Sequence, residues 1–310
     1  MDTTPRLLAL DWGTSNLRAS LLGAGAQTLQ TRRDARGVMA VPAGGFEAVL
    51  RELCGDWLAA HAQLPVIAGG MVGSRQGWRE APYLDLPAGP EQAAAALTIV
   101  PFGDRQLHIV PGACDRPRPG RFDVMRGEET QVWGSVIDGA GWCVLPGTHS
   151  KWVQVDEAGR VLRLRTYMTG ELYALLCQHG TPGRLMVPGS SDDEAFAAGL
   201  ALGAAEHAQA THALFAARTA GLLGGVAGDA LPDYLSGLLI GVEIASALAA
   251  PGQNLRAAPL CLVGDEALCT RYARALGMLG VESRTALPGA TERGLWRVAL
   301  AAGLIREDTR

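Results

Sequence analysis

Asp11, Gly13, Thr14, Ser15 and Asn16 stand together between two apolar runs in LLALDWGTSNLRASLL, residues 7–22. A turn of Gly, Thr and Ser points several backbone N–H groups and hydroxyls in one direction, which suits phosphate oxygens. Ordinary hairpin turns use Gly, Asn and Ser as well, so the informative neighbour is Asp11. A carboxylate beside phosphates is repulsive unless a divalent cation lies between them, and Mg2+ is usually held by one or two carboxylates, waters and phosphates. A second such turn, PGTHSKW (146–152), offers Gly147, Thr148 and His149 after another apolar strand. Arg18 and Lys151 lie just past the two turns, placed to add positive charge near phosphates; for Lys151 a solvated strand end is the alternative. No GxxxxGK[ST] is present, and no GxGxxG follows a strand, so the P-loop and dinucleotide-binding solutions do not apply.

The elements that must position these turns come in an order that repeats. Residues 6–11, 17–22 and 27–36 read as three strands, and the spacing of Phe46, Val49, Leu50, Leu53, Trp57 and Leu58 predicts a helix over 45–61. A short strand at 64–70 follows. Residues 141–155 again read as strand, turn and strand, with a third strand in GRVLRLRTYM and a helix in TGELYALLCQH. Thr169 is placed to cap that helix and Glu171 to favour its first turn. A repeat this long implies two related domains rather than a solenoid. Further on, PDYLSGLLIGVEIASAL predicts a helix opening on Pro232. Leu235, Leu238, Leu239 and Val242 form one of its faces, and Gly237 and Gly241 permit a close helix contact. A strand at 259–265, a helix at 266–279, a strand at 281–286 and a helix at 291–305 complete the chain.

The 310 residues are 48% hydrophobic and 19% charged with a formal net charge of −4, which fits a globular protein of two domains. No basic stripe is present, which argues against a nucleic-acid partner. No uninterrupted apolar stretch approaches the ~20 residues that span a bilayer, and MDTTPR running straight into a strand is not the pattern of a signal peptide. Cys54, Cys114, Cys143, Cys177, Cys261 and Cys269 are scattered without metal-ligand spacing, as in a protein of the reducing cytoplasm.

DWGTSNLR resembles the first phosphate motif of the superfamily that contains sugar kinases, actin and the large heat-shock chaperones, and PGTHSKW resembles its second. With AGGMVGSRQGWREAPYL (68–84), VMRGEETQVWG (124–134), MTGEL and LSGLLIGVEIAS, the chain resembles the 2-keto-3-deoxygalactonate kinase family over nearly its full length. The resemblance implies an α/β fold of two ribonuclease-H-like (actin-like ATPase) domains, each a mixed sheet flanked by helices, with the active site in the interdomain cleft. The expected domains are 1–135 and 136–290, with a helix at 291–310 returning to the first. The implied reaction is Mg2+- and ATP-dependent phosphorylation of a six-carbon 2-keto-3-deoxy sugar acid on its terminal hydroxyl, in galactonate breakdown. A homodimer is left open.

Residue by residue, the resemblance gives Asp11 the Mg2+, through water. Gly13, Thr14, Ser15, Asn16 and Arg18 take ATP phosphates from one domain, and Gly147, Thr148, His149 and Lys151 from the other. RGEET stands where glycerol and pentulose kinases carry a Gly-Asp-Gln segment, with Glu in place of the catalytic Asp. Glu128 is the favoured base, and Glu129 is then expected to touch Mg2+ or a substrate hydroxyl. A sugar-acid carboxylate calls for an Arg fork, and Arg75, Arg79 and Arg126 are the candidates, with Gly73, Ser74 and Trp78 shaping the sugar pocket. Gly264 and Asp265 occupy the place of an adenine-binding Gly-Gly; Asp265 either bonds adenine or ribose, or caps the next helix. A kinase of another sugar or polyol, and a nucleotide-binding ATPase or sensor without a sugar acceptor, are the alternatives.

Overall fold

Strand β1 (Leu7–Trp12) is apolar at every position but Asp11, and it lies in the interior of a sheet, as such runs must. The computed structural model describes residues 3–135, 139–250 and 255–307; the expected domain boundary at residue 136 lies outside them. Up to residue 135, β1 is followed by β2 (Leu17–Leu22), β3 (Thr28–Asp34), α1 (Phe46–Ala60), β4 (Val66–Gly69), β5 (Tyr83–Asp85), α2 (Pro90–Ala95), β6 (Thr98–Phe102), β7 (Arg105–Ile109), β8 (Gly112–Arg118), β9 (Arg121–Met125) and α3 (Glu128–Gly134). From residue 139 come β10 (Gly141–Leu145), β11 (Ser150–Val155), β12 (Val161–Tyr167), α4 (Thr169–Gln178), α5 (Asp193–Ala205), α6 (Ala210–Ala213), α7 (Ala216–Leu222) and α8 (Leu231–Leu248). The chain closes with β13 (Leu260–Leu262), α9 (Glu266–Met278), β14 (Arg284–Thr285) and α10 (Ala290–Ala301).

The chain packs as two compact units: Met1–Ala140 with Val153–Leu164 and Ala286–Arg310, and Gly141–Trp152 with Arg165–Thr285. In the first unit the sheet order is β3-β2-β1-β4-β7-β6. The pairs β1–β2 and β2–β3 are antiparallel, and β1–β4 and β4–β7 parallel. Leu8, Leu10 and Trp12 join Val49, Leu50 and Trp57 of α1 in one core. A five-stranded sheet, β12-β11-β10-β13-β14, has the same order of neighbours as the first five strands of that six-stranded sheet, with β10–β13 and β13–β14 parallel. The first sheet is mixed, as the sequence resemblance implies. The strand expected at 281–286 shrinks to Arg284–Thr285 at the sheet edge.

Helix α8 is long and apolar enough to cross a membrane by length and composition. Its apolar surface is consumed by helix packing instead. A Cβ on Gly237 would lie 2.1 Å from the Phe196 carbonyl oxygen, and one on Gly203 would lie 2.0 Å from that of Leu238. The expected close contact therefore exists, and it is backbone against backbone with α5.

A second glycine crossing joins α10 to α3. A Cβ on Gly294 would fall 1.7 Å from the Thr130 carbonyl oxygen, and one on Gly134 would fall 1.8 Å from that of Ala290. Helix C-termini leave carbonyls without partners. Arg293 Nε donates to Gly134 O at 2.7 Å and Arg297 Nη1 to Trp133 O at 2.5 Å, so α10 both packs against α3 and terminates it. Substituting Gly294→Ala is expected to cost about 3 kcal/mol through forced separation of the helices. Gly55→Ala, in α1 with nothing within 4 Å of its Cβ position, is expected to gain about 0.5–1 kcal/mol from helix propensity. Urea unfolding of the two variants checks the opposite signs.

Candidate active site

In the first unit the turn between β1 and β2 closes by Gly13 N–H donating to Asn16 O at 2.9 Å, and Thr14, Ser15 and Asn16 are exposed. The segment after β3 braces it from behind. Val38 N donates to Gly13 O at 2.9 Å, Met39 N to Thr14 O at 3.2 Å, and Trp12 Nε1 to Arg36 O at 3.0 Å. Gly37 presses so close that a Cβ there would lie 2.3 Å from the Ser15 backbone. A pocket of about 580 Å³ opens over the turn, lined by Asp11, the turn residues and the exposed Arg33.

The antiparallel register sets Asp11 directly opposite Arg18. Arg18 Nη2 donates to Asp11 Oδ2 at 3.0 Å and to Thr291 Oγ1 at 3.3 Å, and its Nε lies 3.4 Å from Glu292 Oε1. Arg18 lines this pocket, as its expected place near phosphates requires, but the register pairs it with Asp11 and α10 brings Glu292 to its Nε. Burial raises the Asp11 carboxyl above its ordinary value, Arg18 pulls it down, and Glu292 pushes it up. Asp11 keeps a third of its side chain exposed. Among the described residues no group of three or more His, Cys, Asp or Glu is placed to cage a metal. One accessible carboxylate beside exposed hydroxyls fits a cation that arrives on phosphates and keeps its waters.

The loop after β4 supplies the next set of groups. Ala81 N donates to Gly73 O at 2.9 Å, folding residues 73–81 back on themselves. Trp78 anchors the loop in a ring cluster, with centroids 6.3 Å from Trp12, 6.0 Å from Phe46 and 6.0 Å from Phe102. It is only partly buried there, which leaves part of the residue exposed. Arg75, its side chain 83% exposed and 3.3 Å from Glu80, and the exposed Arg79 stand at the surface. Arg126 is different. It is 9% exposed, its Nη2 donates to Ala81 O at 2.8 Å, and its guanidinium lies 4.2 Å over the Tyr83 ring. Its Nε and Nη1 are buried with no hydrogen-bond partner, as is Ser74 Oγ. Nη1 would sit 3.0 Å from a Cβ on Gly73, so that glycine leaves the guanidinium room. Buried donors without acceptors are costly, and these converge on the loop expected to meet the substrate.

The acidic pair divides. Gly127 precedes α3 at φ +105°, a conformation that side chains rarely adopt. Glu129 folds back so that both carboxylate oxygens lie 2.8 Å from the Gly127 N–H. It is completely buried, and burial, reinforced by Glu128, pushes its pKa up to about 8. Both oxygens of Glu129 are thus spent on the Gly127 N–H, not turned toward the expected Mg2+ or substrate. Glu128 remains partly exposed, its Oε2 accepting from Arg126 N at 3.0 Å.

In the second unit the turn holding Gly147, Thr148 and His149 lies against the first turn of α4. Glu171 N donates to Thr148 O at 3.0 Å, and a Cβ on Gly170 would lie 2.5 Å from Gly147 O. Gly147 has open space around it, while His149 Nε2 lies 2.6 Å from Glu171 Oε2. Lys151 is buried, with Nζ donating to Thr166 Oγ1 at 3.2 Å, which overturns both the solvated strand end and a free charge beside phosphates. Thr169 does not cap α4; Met168 holds that position without a side-chain bond, and Thr169 Oγ1 donates to Glu243 Oε2. Glu243, on α8 and 1% exposed, also accepts from Trp152 Nε1 at 2.8 Å and Tyr272 OH at 2.8 Å. This buried node ties β11, α4, α8 and α9 together beneath the turn. A pocket of about 160 Å³ beside Gly147 is lined by Gly170, Tyr173, Leu239, Leu268 and Arg271. Gly264 is exposed at φ +136°, and Asp265 caps α9 by accepting from Leu268 N at 3.1 Å.

Sequence reasoning missed Gly37, Arg33, Glu243 and Glu292. For Glu243 a signal existed, a lone carboxylate in the apolar run LLIGVEIASAL, since buried charges are rare unless paired. Glu292 carried none.

A sequence profile of the family described as 2-keto-3-deoxy-galactonokinase matches residues 11–298. The chain is 39% identical over 294 residues to a probable 2-dehydro-3-deoxygalactonokinase of Rhizobium meliloti, covering 92% of this chain and 93% of that protein. It is 38% identical over 289 residues to the 2-dehydro-3-deoxygalactonokinase of Escherichia coli, covering 93% and 94%. A crystal structure of a Sinorhizobium meliloti protein described as a 2-dehydro-3-deoxygalactonokinase superposes with a TM-score of 0.85 at 37% identity, over 95% of this chain and 98% of that one.

Burial of Glu129 has a stability consequence. Its folded pKa of about 8 exceeds the ordinary 4.5, so its contribution is full below about 4.5 and is lost as pH rises through 8. Glu129→Gln removes this loss. The difference in Tm, variant minus parent, is expected to grow from pH 5 to pH 8 in thermal unfolding.

Proposed function

The chain belongs to the 2-keto-3-deoxygalactonate kinase family of ATP-dependent phosphotransferases, and on that premise we propose that it phosphorylates 2-keto-3-deoxygalactonate on its C6 hydroxyl, with Arg126 binding the substrate carboxylate. The observation that carries the assignment of Arg126 is its buried fork, with Nε and Nη1 unpartnered and Nη1 against Gly73, whose neighbour Ser74 has an equally unpartnered hydroxyl. A guanidinium matches a carboxylate with two parallel donors. Tyr83 and the Ala81 carbonyl hold the fork in one orientation, so less freedom is lost on binding. Arg75 and Arg79, out in solvent, offer no such preorganisation.

Glu128 is the base in this reading. It takes the C6 hydroxyl proton as that oxygen attacks the γ-phosphorus, the bond from the γ-phosphorus to the bridging oxygen breaks, and ADP leaves with the electron pair. In the first unit the rigid Gly13–Asn16 turn presents N–H groups and hydroxyls to phosphate oxygens. Arg33, rather than Arg18, stands as the open cation of that pocket. In the second unit Gly147 and Thr148 take phosphate in the same manner, and the pocket beside them receives the rest of the nucleotide. Asp11 would hold Mg2+, and the ion, when bound, would neutralise charge developing on the phosphates. We place the activity in the cytoplasm, in keeping with six free cysteines.

Release of ADP, followed by enzymatic coupling with Mg-ATP, tests the assignment against 2-keto-3-deoxygalactonate, its gluconate epimer, glycerol, a pentulose and no acceptor. Turnover is expected on the keto-deoxy acids alone; release indifferent to acceptor supports an ATPase instead. Arg126→Gln is expected to raise KM for the sugar acid about 30- to 100-fold, the worth of a charged hydrogen-bond pair, with the KM for ATP unmoved. Glu128→Gln is expected to lower kcat by about 10²–10⁴, and Asp11→Asn by about three decades, both without loss of fold by circular dichroism.

A further inference from the structure

The last helix brings a carboxylate to the first turn that the reaction above does not use. Glu292 lies in the first turn of α10 and is 7% exposed. Its Oε1 accepts from Ser20 Oγ at 3.1 Å and lies 3.4 Å from Arg18 Nε, and its Oε2 is buried with no hydrogen-bond partner. Arg18 reaches Asp11 through Nη2 at 3.0 Å, with Thr291 Oγ1 3.3 Å from the same nitrogen. One guanidinium thus serves two carboxylates, and the three side chains together carry one net negative charge.

The charge balance is what makes Glu292 more than a packing residue. An isolated Asp11–Arg18 pair is neutral, and a dication approaching it meets attraction and repulsion at nearly equal distance. A second carboxylate, at Nε of the same guanidinium, offsets the repulsion and leaves Asp11 with an effective charge. We propose that Glu292 is a positioning residue that shares Arg18 with Asp11, offsets the charge of the guanidinium and keeps this end of the pocket anionic, so that Asp11 accepts a divalent cation carried in on a nucleotide. Ser20 and Thr291 assist by fixing the carboxylate and the guanidinium in place. The proposal rests on the reading of Asp11 as the cation-facing group.

Electron paramagnetic resonance of Mn2+, titrated into the full-length protein with a non-hydrolysable ATP analogue, measures the cation directly. Glu292→Gln preserves shape and can still accept from Ser20. It is expected to weaken Mn2+ binding about tenfold and raise the Mg2+ needed for half-maximal activity equally, with kcat at saturating Mg2+ within about threefold of the parent. Glu292→Asp is expected to recover most of the affinity. Arg18→Gln combined with Glu292→Gln is expected to restore it, because the repulsion that Glu292 offsets is then gone; Arg18→Gln alone, which leaves both carboxylates, is expected to tighten Mn2+ and serves should Glu292→Gln not fold. Unchanged Mn2+ affinity in Glu292→Gln, or a double variant no better than the single, overturns the proposal, as does Arg18→Gln without tighter binding. Asp11→Asn separates the two levels. Mn2+ affinity untouched by Asp11→Asn overturns the underlying reading of Asp11, whereas loss with Asp11→Asn and none with Glu292→Gln overturns the role of Glu292 alone.

Discussion

The first unit depends on one backbone contact, the crossing of α3 and α10 at Gly134 and Gly294. With no side chain at either position, the carbonyls of Ala290 and Thr130 occupy space where a Cβ would stand. Nothing but glycine permits so close an approach, and the approach fixes much else. Helix α3 begins at the acidic pair, so its placement decides where Glu128 emerges and how deep Glu129 is sunk. Helix α10 carries Thr291 and Glu292 in its first turn, so the same crossing decides what meets Arg18. Arg293 and Arg297 then bind the carbonyls at the end of α3, which keeps the crossing from sliding.

Both glycine-rich turns obey a shared design. Each is exposed on the side available to a ligand and pressed from behind by a glycine of another segment, Gly37 in one unit and Gly170 in the other. A turn held this way has little conformational freedom left to lose when it meets phosphate. The charges near the turns are handled differently from what their positions in the chain imply. Arg18 is held between Asp11 and Glu292, His149 is occupied by Glu171, and Lys151 is buried against Thr166. The neighbourhood of each turn is therefore governed by backbone dipoles and hydroxyls more than by nearby cations.

Much of the fold was legible because period and punctuation are local signals. The strand–turn–strand–strand–helix order at both ends of the repeat, the helix at 232–248 and its glycine contact follow from spacing alone, and the turns were found by composition. The site was legible where a residue type has one use. An Arg in the substrate loop was expected, but choosing Arg126 over Arg75 needed burial, which neighbouring letters do not encode. Glu128 and Glu129 are indistinguishable as letters, and only the direction of α3 separates them. Thr169 has the identity of a cap, and tertiary structure draws its hydroxyl to Glu243 instead. Glu292 sits 274 positions from Arg18, beyond any local pattern.

That the final helix completes the first unit has a consequence for how the protein is made. A ribosome delivers Asp11, the first turn and the acidic pair long before it delivers residues 290–301. Until that last helix emerges, Gly134 faces solvent, Trp133 and Gly134 keep unbonded carbonyls, and Arg18 has only Asp11. The first unit to be synthesised is thus the last to be finished, while the intervening residues of the second have already left the tunnel. A chain interrupted late in translation would hold every residue assigned to the chemistry and lack the helix that sets them in place.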